Sequence, residues 1–132
     1  MSYRGIENWY GQIYKFIDGV NVSSYVYYVN NNPATFADNV FTGDYVNTGI
    51  TSVTANGYVK NLVASGKGFV TSDISGGSAS TFVPDYFYQS TGARIVLFGG
   101  TAGGGPGTGG FSLKAVYDAS ASYAFVGSGL SF

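Results

Sequence analysis

The sequence predicts a β-rich single domain, and three observations carry that prediction. The chain holds 12 Tyr and 10 Phe with much Val, Ser and Thr, while the strong helix formers Leu, Glu, Lys, Arg, Met and Gln are few. β-Branched and aromatic side chains fit a pleated, half-buried surface. The 21 Gly, with many Asn, supply turns between short strands. Several short segments alternate apolar and polar residues, and no amphipathic helix of ordinary length is visible. The 132 residues suit one domain spanning 1–132. A domain near this size buries roughly two thirds of its unfolded surface, enough to fold without staples. No Cys is present, which excludes disulfides, zinc–thiolate sites and thiol nucleophiles.

Taken in order, Gly5 to Tyr10 is expected to form one short helical turn, because Trp9 and Tyr10 just before Gly11 suit a packed corner. Residues 12–18 and 24–29 read as strands joined by a turn at Asp18-Gly19. Residues 30–48 carry closely spaced turn signals and predict a long irregular excursion. GITSV and GYVKNLV read as short strands around Ala55-Asn56-Gly57, and residues 65–81 are again small and polar. Ile95 to Phe98 is an uninterrupted apolar run, which predicts a strand buried on both faces. Residues 99–110 are of low complexity. Beyond them Phe111, Leu113, Ala115 and Tyr117 alternate with Ser112, Lys114 and Asp118, a one-faced strand, and Ser122 to Val126 reads as another.

Charge is thin: six basic and seven acidic residues give a net of −1. The cations form no run, so nucleic acid, which binds clustered Lys and Arg, is not an expected partner. No apolar stretch approaches the roughly 20 residues that a spanning helix needs, and no signal peptide is legible at the N-terminus. A surface this weakly charged is poorly protected against association, so neighbours in an assembly are expected to cover part of it.

Chemistry is correspondingly scarce. The chain has no His, so the commonest base and metal ligand is missing and the usual nucleophilic triads cannot be built. The expected catalytic set, metal set and cofactor set are therefore all empty. Asp85 and Asp118 are the carboxylates that a glycosidase pair would need to bring together; isolated turn residues are the ordinary reading. Gly105, Gly107 and Gly110 fit a dinucleotide-loop pattern on paper. That mechanism requires a helix N-terminus after the glycines, and a strand is predicted there instead. The plain reading of the segment is a flexible surface loop; a functional one is a backbone-rich loop, Gly103, Gly104, Gly105, Pro106 and Gly107, lying flat against a partner. Asn21-Val22-Ser23 matches a glycosylation acceptor by chance. Asp38, Asn39, Asp44 and Asn47 are oxygen-rich, as a calcium loop would be, but read as turns.

The opening segment RGIENWYGQIYKFIDGVNV adds a resemblance. Gly5, Glu7, Asn8, Gly11, Ile13 and Lys15 match an opening motif of phage structural proteins whose domains have the C-type-lectin-like, formylglycine-generating-enzyme-like fold. Tyr14 and Phe16 stand where that motif has two tryptophans, and Gln12 where it has Asn. Asp85, Tyr86, Tyr88, Arg94, Gly99 and Gly100 resemble the family's stretch ending in a Gly-Gly strand terminus. Gly127 and Leu130 resemble its closing strands, with Gly129 at the Arg position. The likeness covers about two thirds of the chain and leaves residues 30–65 outside it.

The resemblance implies an α+β, β-dominated C-type-lectin-like fold, with antiparallel hairpins, short helical turns, long loops and adjacent N- and C-terminal strands. It also implies a non-catalytic virion protein on the capsid or tail surface. A capsid decoration or head-fibre subunit is the leading expectation. Its partners would be copies of itself, as in a trimer, and the major capsid or other virion proteins, without membrane insertion. The competing expectation is a tail-tip or fibre adhesin that binds a host glycan or protein in an aromatic groove between loops 30–48 and 99–110. Trp9, Tyr10, Tyr86 and Tyr88 are the candidate contact residues, by stacking or subunit packing. A third reading, an enzyme, would need converging carboxylates and would lose activity in Asp85→Asn.

Overall fold

A computed structural model describes residues 2–3, 6–7, 11, 13–81 and 83–127. Strand accounts for 42% of the chain. The strands are β1 (Ser2–Tyr3), β2 (Ile6–Glu7), β3 (Tyr14–Ser23), β4 (Val26–Val29), β5 (Val46–Thr51), β6 (Gly57–Tyr58), β7 (Asn61–Ser65), β8 (Gly68–Asp73), β9 (Tyr86–Gln89), β10 (Ala93–Phe98), β11 (Leu113–Ala115) and β12 (Val126–Gly127). Helix among the described residues is confined to two single 3-10 turns, Pro33–Thr35 and Gly105–Gly107. The predicted β-dominated architecture is therefore met.

One curled sheet organises the chain, in the order β5-β4-β3-β10-β11-β9-β6, with β12 pairing β3 beside Tyr14 and Lys15. The ribbons β1–β2 and β7–β8 stand apart from it. Antiparallel hairpins alone do not account for the sheet, because β11 runs parallel to β9 and β12 parallel to β3. The reason lies in the connection Ser90–Gly92. It joins β9 and β10 while leaving room for β11 between them, and a strand inserted between two opposed neighbours must run parallel to one. The early strand β3 and the late strand β12 are adjacent, as expected.

Asp18-Gly19 does not turn the chain. β3 continues through it, and the hairpin to β4 turns at Ser24-Tyr25, whose φ values are +46° and +72°. Positive φ at both central positions is what a two-residue type I′ hairpin turn needs. Non-glycine residues hold it because neighbours fix the tip: Ser24 N donates to Gly92 O and Ser52 N to Tyr25 O, each at 3.0 Å. Asp18-Gly19 instead forms a bulge. Two steps along β10, from Ile95 to Leu97, face five along β3, from Asn21 back to Phe16. Gly19 has φ +77°, and a Cβ there would lie 2.7 Å from both Asn30 O and the Phe36 ring.

Other expectations also shift. Ile6–Glu7 pairs with Ser2–Tyr3 as a strand rather than entering a helical turn; Gly5 and residues 8–10 of that turn lie outside the described residues. Within the small, polar 65–81 stretch, Gly68–Asp73 forms β8, paired to β7 across Gly66-Lys67. The strand expected over Ser122–Val126 shrinks to Val126–Gly127, because residues 124–125 turn. The one-faced strand expected through Phe111 and Tyr117 is confined to Leu113–Ala115: Phe111 is 66% exposed in a turn before it, and Tyr117, past its end, packs in the cluster opposite Ala115.

The long excursion over 30–45 is held by side chains. Buried Asn21 donates from Nδ2 to Ala37 O and Val40 O, both at 2.9 Å, a role that leaves no free amide for a glycan. Asn32 caps the turn at Pro33, and Ala37 N donates to the hydroxyl of buried Tyr45. Asp44, in the oxygen-rich segment, accepts from Thr35 and Asn32, and these hydrogen bonds hold its carboxyl below the usual range. Among the described residues no cluster of ligating side chains is arranged for a metal ion.

β10 is buried on both faces, as its apolar run predicts. Val96 joins an inner cluster with Val22, Tyr27, Ile50, Val59, Val70, Phe87 and Ala115. Ile95 and Leu97 join an outer cluster with Tyr14, against which Tyr117, Phe125 and Val126 pack. The β7–β8 ribbon closes over the inner face. Val53 N donates to Thr71 O, and Lys60 N to Asp73 O.

Candidate functional site

The outer face of the sheet is paved with tyrosine. Side chains two apart on a strand share a face, so Tyr86 and Tyr88 of β9 point outward while Phe87 and Gln89 are buried. Tyr58 of β6 is registered opposite Tyr86 and meets its ring edge-on at 4.9 Å. Tyr86 and Tyr88 lie 4.5 Å apart. On the far side Tyr123 stacks on Phe125 at 5.0 Å and contacts Tyr117 at 4.8 Å.

Lys114 joins these two groups. It stands on β11 between Leu97 of β10 and Tyr88 of β9. Its Nζ lies 5.0 Å from the ring centres of Tyr14, Tyr88 and Tyr117 and 5.9 Å from that of Phe125. Aromatic faces attract a cation at such distances. Burial pushes the Tyr14 phenol up, aided by Tyr88 and Tyr117 and opposed by a hydrogen bond with Ser112. Burial also raises Tyr88, aided by Tyr86 and Tyr58. The face is thus neutral aromatic surface around one fixed positive charge.

The glycine-rich loop borders this face. A Cβ on Gly107 would stand 3.1 Å from Tyr86 Cβ. Internal bonds shape the loop: Thr108 Oγ1 and Gly104 N both donate to Thr101 O, at 3.0 and 2.9 Å. Cβ atoms on Gly100 or Gly104 would collide with Thr108, and one on Gly109 with Asp85. Gly103, Gly104, Gly105 and Pro106 at the tip are exposed. The loop runs through Phe111 and Ser112 into strand β11, with no helix to receive a pyrophosphate.

Of the contact candidates, the structure brings together Tyr86, Tyr88 and Gly107; Trp9 and Tyr10 lie outside the described residues. Of the motif residues, Gly11 N donates to Gly99 O at 2.6 Å, joining the opening segment to the Gly-Gly pair. Gly127 pairs with Lys15. Tyr14 is buried, whereas Phe16 is 38% exposed. Glu7 lies in β2, and Gly5, Asn8 and Leu130 fall outside the described residues. Asp85 is buried and accepts from Phe111 N at 2.7 Å. Asp118 is an exposed turn residue that binds Ser120 and shares a shallow hollow with Arg94. The two are held by separate local bonds, not by a shared cleft. Sequence reasoning missed Lys114 as the centre of the face. No local pattern marks it, because the rings around it come from β3, β9 and the segment after β11, which only the fold makes neighbours.

The inner face opens differently. Between the β7–β8 ribbon and the sheet lies an apolar cleft of about 510 Å³, rimmed by Leu62, Phe69 and Phe111, which are 48%, 60% and 66% exposed. Past Phe69 and Val70 a second cavity of about 180 Å³ reaches Tyr27. The buried Tyr27 hydroxyl completes no hydrogen bond. Burial pushes this phenol far up, and Ser52 beside it offsets part of the effect; Ser52 Oγ itself donates to Gln89 Oε1. No family model matches the chain, and neither a curated protein nor a solved structure matches it.

Proposed function

We propose that this chain is a non-catalytic structural protein of a phage virion, a capsid decoration or head-fibre subunit that works through contact with other proteins on the particle. The observation that carries the reading is the Lys114-centred aromatic face. Its rings come from β3, β6, β9 and the segment after β11, and they hold one another at fixed distances. Rigid, amphipathic tyrosines supply broad contact area at low entropic cost, and aromatic residues are enriched where proteins meet. The low charge of the chain and the resemblance of its opening, Gly-Gly and closing segments to phage structural domains support the same reading, with the C-type-lectin-like fold as its expected scaffold. Fold alone does not fix function; the face is what makes the contact reading specific.

Quantitative mass spectrometry of purified virions tests it. Hundreds of copies per particle are expected for a decoration subunit, and Tyr86→Ser with Tyr88→Ser should lower the copy number. Absence from the particle sinks the proposal. A second reading, a tail-tip or fibre adhesin, is favoured by the same tyrosine row, since Tyr also stacks on sugar faces. It predicts a few to tens of copies and binding on a glycan array that the double variant loses.

A further inference from the structure

The cleft on the inner face points to a separate binding site, and we propose that it takes a small apolar molecule, aromatic or alicyclic, that carries one hydrogen-bond acceptor. The inference does not depend on the virion reading. Three observations carry it. The first is size and lining. At about 510 Å³ the cleft lies within the range of small-molecule sites, and its walls are aliphatic and aromatic, with Val83 and Leu113 at the inner side. The second is continuity: Ile17, Phe69, Val70 and Leu113 also wall the second cavity of about 180 Å³, so the apolar lining extends beyond the cleft itself.

The third observation is chemical. Thr71 lines the cleft and is 2% exposed, yet its hydroxyl makes no hydrogen bond among the described residues. Buried polar groups are ordinarily hydrogen-bonded, and each exception calls for a physical reason. One O–H donor on an otherwise apolar wall specifies an occupant with an acceptor, a carbonyl or ether oxygen, set in a hydrocarbon frame.

The experiment compares methyl β-naphthyl ketone with β-ethylnaphthalene, which has the same shape without the acceptor. Binding to the full chain is followed by ligand fluorescence and by chemical-shift changes in the protein. The ketone is expected to bind about three- to tenfold more tightly, the worth of one hydrogen bond. Thr71→Val keeps the shape of the side chain and should abolish that preference while both compounds still bind. Val83→Phe fills the cleft and should weaken both. Shifts should centre on Ile17, Val70 and Leu113. The proposal is overturned if neither compound binds at millimolar concentration, if the preference survives in Thr71→Val, or if the shifts map elsewhere. It is equally overturned if Leu62, Phe69 and Phe111 become protected only by self-association while the cleft excludes both probes.

Discussion

On the outer face of the sheet the ammonium of Lys114 has four aromatic rings around it, whereas on the inner face the hydroxyl of Thr71 has no hydrogen-bonding partner among the described residues. The same strands build both faces. β11 contributes Lys114 to one and Leu113 to the other, and β9 contributes Tyr88 and Phe87. What differs is the cover. Aromatic side chains fold over the outer face from its own strands and the segment that follows. A separate ribbon packs onto the inner face through Val70 and leaves a cleft beside that contact. The outer surface is therefore finished and offers shape, while the inner one is unfinished and offers a cavity.

The largest break in this comparison should come from β10, which serves both faces. Leu97 is fully buried in the outer cluster. Leu97→Ala should destabilise the chain by about 2–5 kcal/mol, measured by denaturant unfolding. Near-ultraviolet circular dichroism of the tyrosines should fall with it, while binding of the naphthyl ketone at the inner cleft persists. Loss of both together would mean that the faces are not separate.

Gly19 comes next. Tyr14 and Phe16 face outward with Leu97, yet Val20 and Val22, also even-numbered, pack inward. A strand that alternates strictly cannot do this. The bulge at Asp18-Gly19 adds an odd number of residues on β3 and reverses which face the later side chains occupy. Gly19→Ala places a Cβ against Asn30 O at a positive φ. It should cost about 1–3 kcal/mol, and a wild-type unfolding midpoint would refute the parity argument.

That bulge marks where the sequence was legible and where it was not. The apolar run Ile95–Phe98 announced a doubly buried strand because burial on both faces leaves no alternation to misread. Tyr86 and Tyr88 were legible as aromatics of the stretch that resembles the Gly-Gly segment, able to stack or pack. Asp18-Gly19 misled because the same dipeptide serves a hairpin turn or a bulge, and only the partner strand decides. The actual turn, Ser24-Tyr25, carries no turn residues because tertiary hydrogen bonds hold it. Lys114 and Thr71 were invisible as site residues for a related reason. The rings around one and the unmatched donor of the other depend on which strands become neighbours, and the parallel placement of β11 beside β9 has no local signature.

Smaller effects sharpen the outer half of the comparison. Lys114→Met keeps the stem and removes the charge, and should cost about 1–2 kcal/mol, the scale of a partly desolvated cation over aromatic rings. An unchanged unfolding midpoint would mean that the rings pack equally well without it. Alkaline pH probes the same face. Folding raises the pKa of Tyr14 and Tyr88 above the ordinary 10.0. Their contribution is therefore complete below pH 10.0 and is lost as pH climbs through the raised folded values, since the unfolded chain releases these protons first. Stability should decline above that point, and Tyr14→Phe with Tyr88→Phe should flatten the decline.

The smallest effect has the opposite sign, and it separates the two faces most cleanly. Removing the charge from Lys114 should destabilise the chain because the charge has partners. Removing the hydroxyl from Thr71 should not, because it has none among the described residues. A hydroxyl that bonds no protein group adds no hydrogen bond to the fold, and replacing it by an apolar group of the same shape is neutral or favourable. Thr71→Val should leave stability unchanged or raise it by up to about 1 kcal/mol in the absence of any added molecule. With saturating methyl β-naphthyl ketone the order should reverse, because only the hydroxyl-bearing protein gains the extra bond. Thermal unfolding of both proteins, with and without the ketone, reads the four values. A Thr71→Val variant that is clearly less stable than wild type without ligand would mean that the hydroxyl is already satisfied, and the contrast between the faces would then fail at its inner side.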